Sequence, residues 1–269
     1  MKNLSAIHHT MTLVPIALLA AVLPLGVWAA DTERDTLYQV STLAALLDGH
    51  YEGETTLGEL RGHGDFGIGT FEGLDGEMIL VDGVFHQARA DGKVLRPADD
   101  VKTPFACVTR FDADHRIALA EGSDFAGLRK LLDERFATTG MPFAIRVTGT
   151  FKQVKVRSVP AQAKPYPPLS EVVKQQPVFD YQNVEGTLVG FSLPPSLEGI
   201  NVPGYHLHLL SKDGTQGGHM LDFTMAAGTV EVDDSPEARV VFSAAAAQAG
   251  MGTRKASREE IERVEKDGK

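Results

Sequence analysis

The sequence predicts an α+β fold: two mainly antiparallel or mixed β-sheet layers, or subdomains, with a few covering helices. Three observations predict it. Between Gly67 and Phe111, the dipeptides Asp75-Gly76, Asp82-Gly83 and Asp91-Gly92 separate short apolar runs, the pattern of strands joined by tight turns. From Phe143 to Phe151, apolar residues alternate with partners such as Arg146 and Thr148, which marks a half-buried strand. Between these regions Phe125, Leu128, Leu131, Leu132 and Phe136 recur at helical spacing.

Taken in order, residues 1–29 read as a secretory signal rather than as part of the fold. Lys2 is the only charged side chain there, an apolar run from Leu13 to Val27 is broken by Pro15 and Pro24, and Val27-Trp28-Ala29 offers small residues for cleavage after Ala29. Removing Lys2 takes the formal charge from −10 to −11. So acidic a chain, with no clustered Lys or Arg, argues against nucleic acid as a partner and against stable membrane association after signal cleavage. The expected location is exported, periplasmic or secreted. Cys107 is the only cysteine, so no intramolecular disulfide can form; within Phe105-Ala106-Cys107-Val108 it reads as a small buried hydrophobe.

Ser41 is placed to cap a short helix through Leu43, Leu46 and Leu47 that ends at Gly49. The Asp-Gly strands follow, then the helix capped by Ser123 or Asp124, expected to cover that sheet. The strand from Phe143 runs on through Val154 and Val156 toward Pro160. The stretch Pro160 to Pro168 is the candidate connection, dividing an N-terminal α/β subdomain over 30–165 from a C-terminal β-rich subdomain over 166–269. Beyond it come a short helix near Ser170 to Gln176, strands at Val184 to Leu193 and Tyr205 to Leu210, a turn over Ser211 to Gly218, and a strand from His219.

That last region carries the chemistry. On a strand, His206 and His208 share one face while Leu207 and Leu209 point to the other. The turn around Asp213-Gly214 returns the chain so that His219, on the neighbouring strand, completes one side of a tetrahedron around a metal ion. Three neutral imidazoles that leave a fourth position open suit catalytic zinc, with iron or manganese as alternatives. The metal site is thus expected on a β-hairpin of the C-terminal half. His50, His63, His86 and His115 stand singly and read as surface residues.

Beyond the histidines, the chain resembles the α-acetolactate decarboxylase family from about Leu37 to Asp233. The likeness is carried by Leu37-Tyr38-Gln39-Val40-Ser41-Thr42, Leu46-Leu47-Asp48-Gly49, Gly64-Asp65-Phe66-Gly67-Ile68-Gly69-Thr70-Phe71, Leu74-Asp75-Gly76-Glu77, the Gly204 to His219 segment and Leu221-Asp222. The resemblance implies Zn2+ on His206, His208 and His219, with Glu265 near the C-terminus also at the metal. It implies Glu77 and Arg157 as catalytic residues, Thr70 as a substrate contact, and a homodimer. The implied reaction takes 2-acetolactate to (R)-acetoin and carbon dioxide, zinc chelating the ketone and hydroxyl oxygens and stabilising an enediolate. Arg157 would pair with the carboxylate and Glu77 would return the proton, although the two roles could be partly exchanged. A cupin-like oxygenase or isomerase uses a similar histidine pattern. A non-catalytic exported zinc-binding protein is the third reading, and it would not need Arg157 and Glu77 nearby.

Overall fold

Glu77–Val81 and Val84–Ala88 form the hairpin that the Asp82-Gly83 dipeptide predicts, with Asp82 at φ 50° and Gly83 at φ 75°. Two left-handed residues in succession match the twist of paired strands. The computed structural model describes residues 34–136, 140–254 and 256–265, so the expected signal segment lies outside the described residues. In chain order the strands are β1 (Thr36–Val40), β2 (Thr55–Thr56), β3 (Phe66–Thr70), β4 (Glu77–Val81), β5 (Val84–Ala88), β6 (Val94–Leu95) and β7 (Lys102–Thr103). They continue as β8 (Ala106–Thr109), β9 (His115–Leu119), β10 (Phe143–Arg157), β11 (Val178–Leu193), β12 (Gly204–Ser211), β13 (Gly217–Asp234) and β14 (Glu237–Val241). The helices are α1 (Leu43–Leu47), α2 (Leu57–Arg61), α3 (Phe125–Phe136), α4 (Leu169–Val172), α5 (Ala244–Gln248) and α6 (Arg258–Glu265).

The architecture is mixed α and β, mostly sheet. A seven-stranded sheet has the order β14-β1-β8-β3-β4-β5-β6, with β14 parallel to β1 and its other pairs antiparallel. A five-stranded sheet has the order β10-β11-β12-β13-β9 and curls on itself, because β13 pairs with β10 as well as with β12. Ile145, Val147, Phe151, Leu188, Leu207, Leu209 and Phe223 share the core of this second sheet. Its other side meets the first sheet in a second cluster, where Phe66, Ile68, Ile79 and Cys107 pack with Ala144, Val189, Phe191 and Leu210.

The fold corrects several expectations. The division at residue 165 does not follow the sheets: β9 and β10 lie in the second sheet, and β14 returns to the first. The described residues from 34 onward fall in one compact unit. Helix α3 does run over Phe125–Phe136, with the Asp124 carboxylate accepting the Gly127 N–H at 2.7 Å, but it covers the second sheet rather than the Asp-Gly strands. Thr42, not Ser41, caps α1, because its Oγ1 accepts the Ala45 N–H at 3.2 Å while Ser41 takes φ 60° outside the helix. His50 and His86 are buried, at 5% and 7% exposure, whereas His115 is exposed. Cys107 is buried in β8 as read, and burial pushes its thiol pKa up. Among the described residues no helix is long and apolar enough to cross a membrane.

Candidate metal centre

The hairpin of β12 and β13 places His208 directly opposite His219 in the ladder, and the alternation of β12 turns His206 to the same side as His208. Leu207 and Leu209 point into the core of the second sheet, at 1% and 0% exposure. Gly218 allows His219 to be there: at φ 146°, a Cβ would come within 2.6 Å of the Arg157 carbonyl oxygen, so only glycine lets β13 lie this close to β10.

The ligand atoms of the three histidines all lie within 4.8 Å of one another. His206 Nε2 is 3.1 Å from His208 Nε2 and 3.1 Å from His219 Nδ1. Two nitrogens on one tetrahedral ion, each about 2.0–2.1 Å from it, stand about 3.3 Å apart, so the spacing fits a small cation. Burial pushes the His206 pKa down to about 3 and holds His208 and His219 well below the ordinary value, with Arg157 adding to each shift. All three rings are therefore neutral, the state that offers lone pairs to a metal. His208 Nδ1 donates to the Met78 carbonyl at 2.8 Å, which fixes the tautomer and leaves the Nε2 lone pair available to a metal.

The carboxylates arrive from distant parts of the chain. Glu77 opens β4 behind Gly76, whose φ of 85° makes the turn and whose missing Cβ leaves room for the Ala88 carbonyl. Glu77 Oε1 accepts the Val159 N–H at 3.0 Å, and Oε2 stands 3.6 Å from His208 Nε2. Glu265, the last residue of α6, puts Oε2 3.7 Å from His219 Nε2. Burial raises both carboxyl pKa values to about 7, against an opposing pull from Arg157.

Arg157, at 4% exposure, donates from one terminal nitrogen to Gln176 Oε1 at 2.5 Å and from the other to the Val264 carbonyl of α6. Its Nε–H is buried without a partner. Thr70, paired with Glu77 across β3 and β4, donates its hydroxyl to the Gly76 carbonyl at 2.8 Å.

A cavity of about 50 Å³ is lined by the three histidines, Glu77, Arg157, Thr70 and Glu265, so every residue singled out from the sequence meets there. Sequence reasoning missed its apolar wall, which includes Leu43, Leu46, Phe105, Val159, Val202 and Val264. It also missed the Met78 carbonyl and the Val159 N–H, which are backbone groups with no signature in residue type. Gln176 gave no signal either.

Against known proteins, residues 37–249 match the profile of the alpha-acetolactate decarboxylase family. The alpha-acetolactate decarboxylase of Methylococcus capsulatus is 46% identical over 208 residues, 77% of this chain and 80% of that one. Its counterpart from Methanosarcina mazei is 45% identical over 204 residues, 76% of this chain and 71% of that one. The crystal structure of alpha-acetolactate decarboxylase from Bacillus subtilis strain 168 superposes with a TM-score of 0.82 at 35% identity, covering 86% of this chain and 99% of that one.

Proposed function

This chain belongs to the α-acetolactate decarboxylase family, and on that premise we propose that it converts 2-acetolactate to (R)-acetoin and carbon dioxide with zinc held by His206, His208 and His219. Acetolactate decarboxylation is the activity its curated relatives are named for; the metal, the product configuration and the residue roles are our own reading. The observation that carries it is the convergence of three neutral imidazoles, two buried carboxyl groups and one buried guanidinium on a single small cavity. Glu265, which lines the same cavity as the three histidines, is assigned as a further ligand. When bound, zinc supplies a Lewis acid that polarises the substrate oxygens.

The chain's own groups do the rest. The orphaned Nε–H of Arg157 is a donor kept ready for a carboxylate; leaving such a donor buried and unpaired costs about 1–3 kcal/mol, which a substrate anion relieves. Gln176 and the Val264 carbonyl hold the guanidinium in that orientation. Glu77, whose carboxyl pKa burial raises, is the group we assign to return the proton. The Val159 N–H fixes its Oε1, so the proton is delivered from Oε2 to one face and a single enantiomer forms. Thr70 Oγ1 donates to Gly76 and can still accept from the substrate hydroxyl. Phe105, Val159 and Val202 keep bulk water out, which strengthens each of these interactions.

We extend the reading to location and assembly. The apolar run Leu13 to Val27 ahead of Val27-Trp28-Ala29 supports export to a periplasm or the medium, and the family resemblance supports a homodimer. The experiment is to express the chain from Ala30 onward, quantify bound metal, and follow acetoin release from racemic 2-acetolactate under argon, with and without a chelator. Zinc in the protein and chelator-sensitive acetoin release are expected. Undiminished release from metal-free protein would sink the zinc assignment. Zinc bound with no acetoin formed would keep the site on His206, His208 and His219 and overturn the decarboxylation, in favour of the zinc-binding or cupin-like readings.

A further inference from the structure

Helix α6 brings both the Glu265 carboxylate and the Val264 carbonyl to the site, yet it lies beyond residue 249, where the family match ends. Ile261 and Val264 bury its apolar face, and a single guanidinium on its exposed side fixes its near end. Arg254 donates from Nε to Asp48 Oδ1 at 2.6 Å, and from its two terminal nitrogens to the two oxygens of Glu260, each at 2.6 Å. Asp48 closes the C-terminal end of α1, and its Oδ2 also accepts the Gly252 N–H at 2.8 Å. One guanidinium thus ties α1, which supplies Leu43 and Leu46 to the cavity wall, to α6, which supplies Val264 and Glu265.

We propose that Arg254 is a positioning residue for the decarboxylation: by clamping Glu260 of α6 to Asp48 of α1, it holds Glu265 against His219 and the Val264 carbonyl against Arg157. This rests on the proposed function, in which Glu265 and Arg157 serve the site. The guanidinium suits the task because its planar fork engages a carboxylate through two parallel bonds while Nε takes a second acceptor, which a lysine ammonium cannot reproduce. The three side chains are partly exposed, at 46% for Arg254, 19% for Asp48 and 20% for Glu260. The clamp fixes where the end of α6 lies relative to α1, and so acts on the geometry of the site.

The cavities show why that geometry matters. The space of about 50 Å³ at the histidines has room for roughly three to five water molecules, whereas a cavity of about 640 Å³ lies outside and shares Val202, His219 and Glu265 with it. The end of α6 is part of the partition between them. A displacement of about 1 Å in a positioning element can lower turnover about a hundredfold.

The test compares Arg254→Ala, Arg254→Lys and Glu265→Gln with the parent enzyme, measuring kcat, KM, zinc retention against a competing chelator, and the thermal midpoint. For Arg254→Ala we expect kcat to fall ten- to a hundredfold with KM changed less than threefold, zinc lost to chelator at least fivefold faster, and a midpoint within a few degrees of the parent. Arg254→Lys should restore only part of kcat. Parental kcat and zinc retention in Arg254→Ala, with Glu265→Gln impaired, would overturn the positioning role alone. Parental behaviour in Glu265→Gln would overturn the reading of Glu265 and the proposal that rests on it. A midpoint that falls with kcat in Arg254→Ala, and full rescue of both by lysine, would mark a merely structural charge and overturn it too.

Discussion

The hairpin of β12 and β13 and the tail from α5 to α6 both supply the site, and they are held in opposite ways. His208 and His219 sit in a backbone ladder inside the protein, at 1% and 4% exposure, above a core that includes Leu207 and Leu209. Helix α6 has eight residues, too few to be stable alone in water, and is kept by docking: Ile261 and Val264 are buried against α1 and α4, and Arg254 and Arg157 grip it from two sides. The difference teaches that the imidazoles are arranged by a backbone ladder, while the covering carboxylate is added by a short helix held through side-chain contacts.

The largest effect should come from the rigid half. His208→Ala removes a ligand together with its bond to Met78, and acetoin release should fall by more than about 10³-fold, beyond the loss of a single stabilising donor; full zinc occupancy in this variant would break the comparison. Glu77→Gln should keep zinc and lower kcat about 10²–10⁴-fold, read by pairing metal analysis with turnover. Stability sharpens the contrast. Leu209→Ala should cost about 2–5 kcal/mol in denaturant unfolding, as a fully buried leucine in the second sheet. Ile261→Ala, although its side chain is only 4% exposed, is expected to change global unfolding by less than about 1 kcal/mol and to speed hydrogen exchange over 258–265, the signature of a short helix that opens by itself; a global loss of about 2–5 kcal/mol would break the comparison.

The last effect is read in the pH profile and concerns the far end of β13. Asp233 is buried, and burial followed by Asp114, Asp35 and Asp234 raises its pKa from 3.8 to about 7. The folded state therefore binds more protons than the unfolded one between those values. The stability this group contributes is present below pH 3.8 and is lost as pH rises toward 7. Asp233→Asn should flatten that part of the stability profile by about one proton, and an unchanged slope in urea titrations across this range would refute it.

The same contrast separates what could be read in the sequence from what could not. Strand β10 and helix α3 were legible because their apolar periods, two and about 3.6 residues, are local. The His-x-His pair was legible because a strand's alternation puts both rings on one side, and an Asp-Gly turn is enough to bring a third. The expected metal ligands and catalytic residues converge, but the groups that orient them are backbone atoms, such as the Met78 carbonyl and the Val159 N–H, which any residue type provides. The boundary drawn at 165 failed because composition marks a Pro-rich connection without revealing which sheet its flanking strands join. His50 and His86 looked like surface residues because isolated polar side chains usually are; Ser243 Oγ, 2.9 Å from His50 Nε2, explains one of the exceptions. The Arg254 clamp was invisible, since its partners are more than two hundred residues away in one direction and six in the other.

The pairing of β1 with β14 bears on how the chain is made. Thr36 meets Glu237 across a separation of 201 residues, so roughly 10–40 s of synthesis, at about 5–20 residues per second, lie between the two strands. Throughout that interval β1 can find β8 but presents its other edge unpaired, and an open strand edge is a template for a neighbouring nascent chain. A polypeptide interrupted before residue 237 keeps that edge and also lacks α6. Synthesis through β14 is thus what converts a strand prone to self-association into an interior strand of the first sheet.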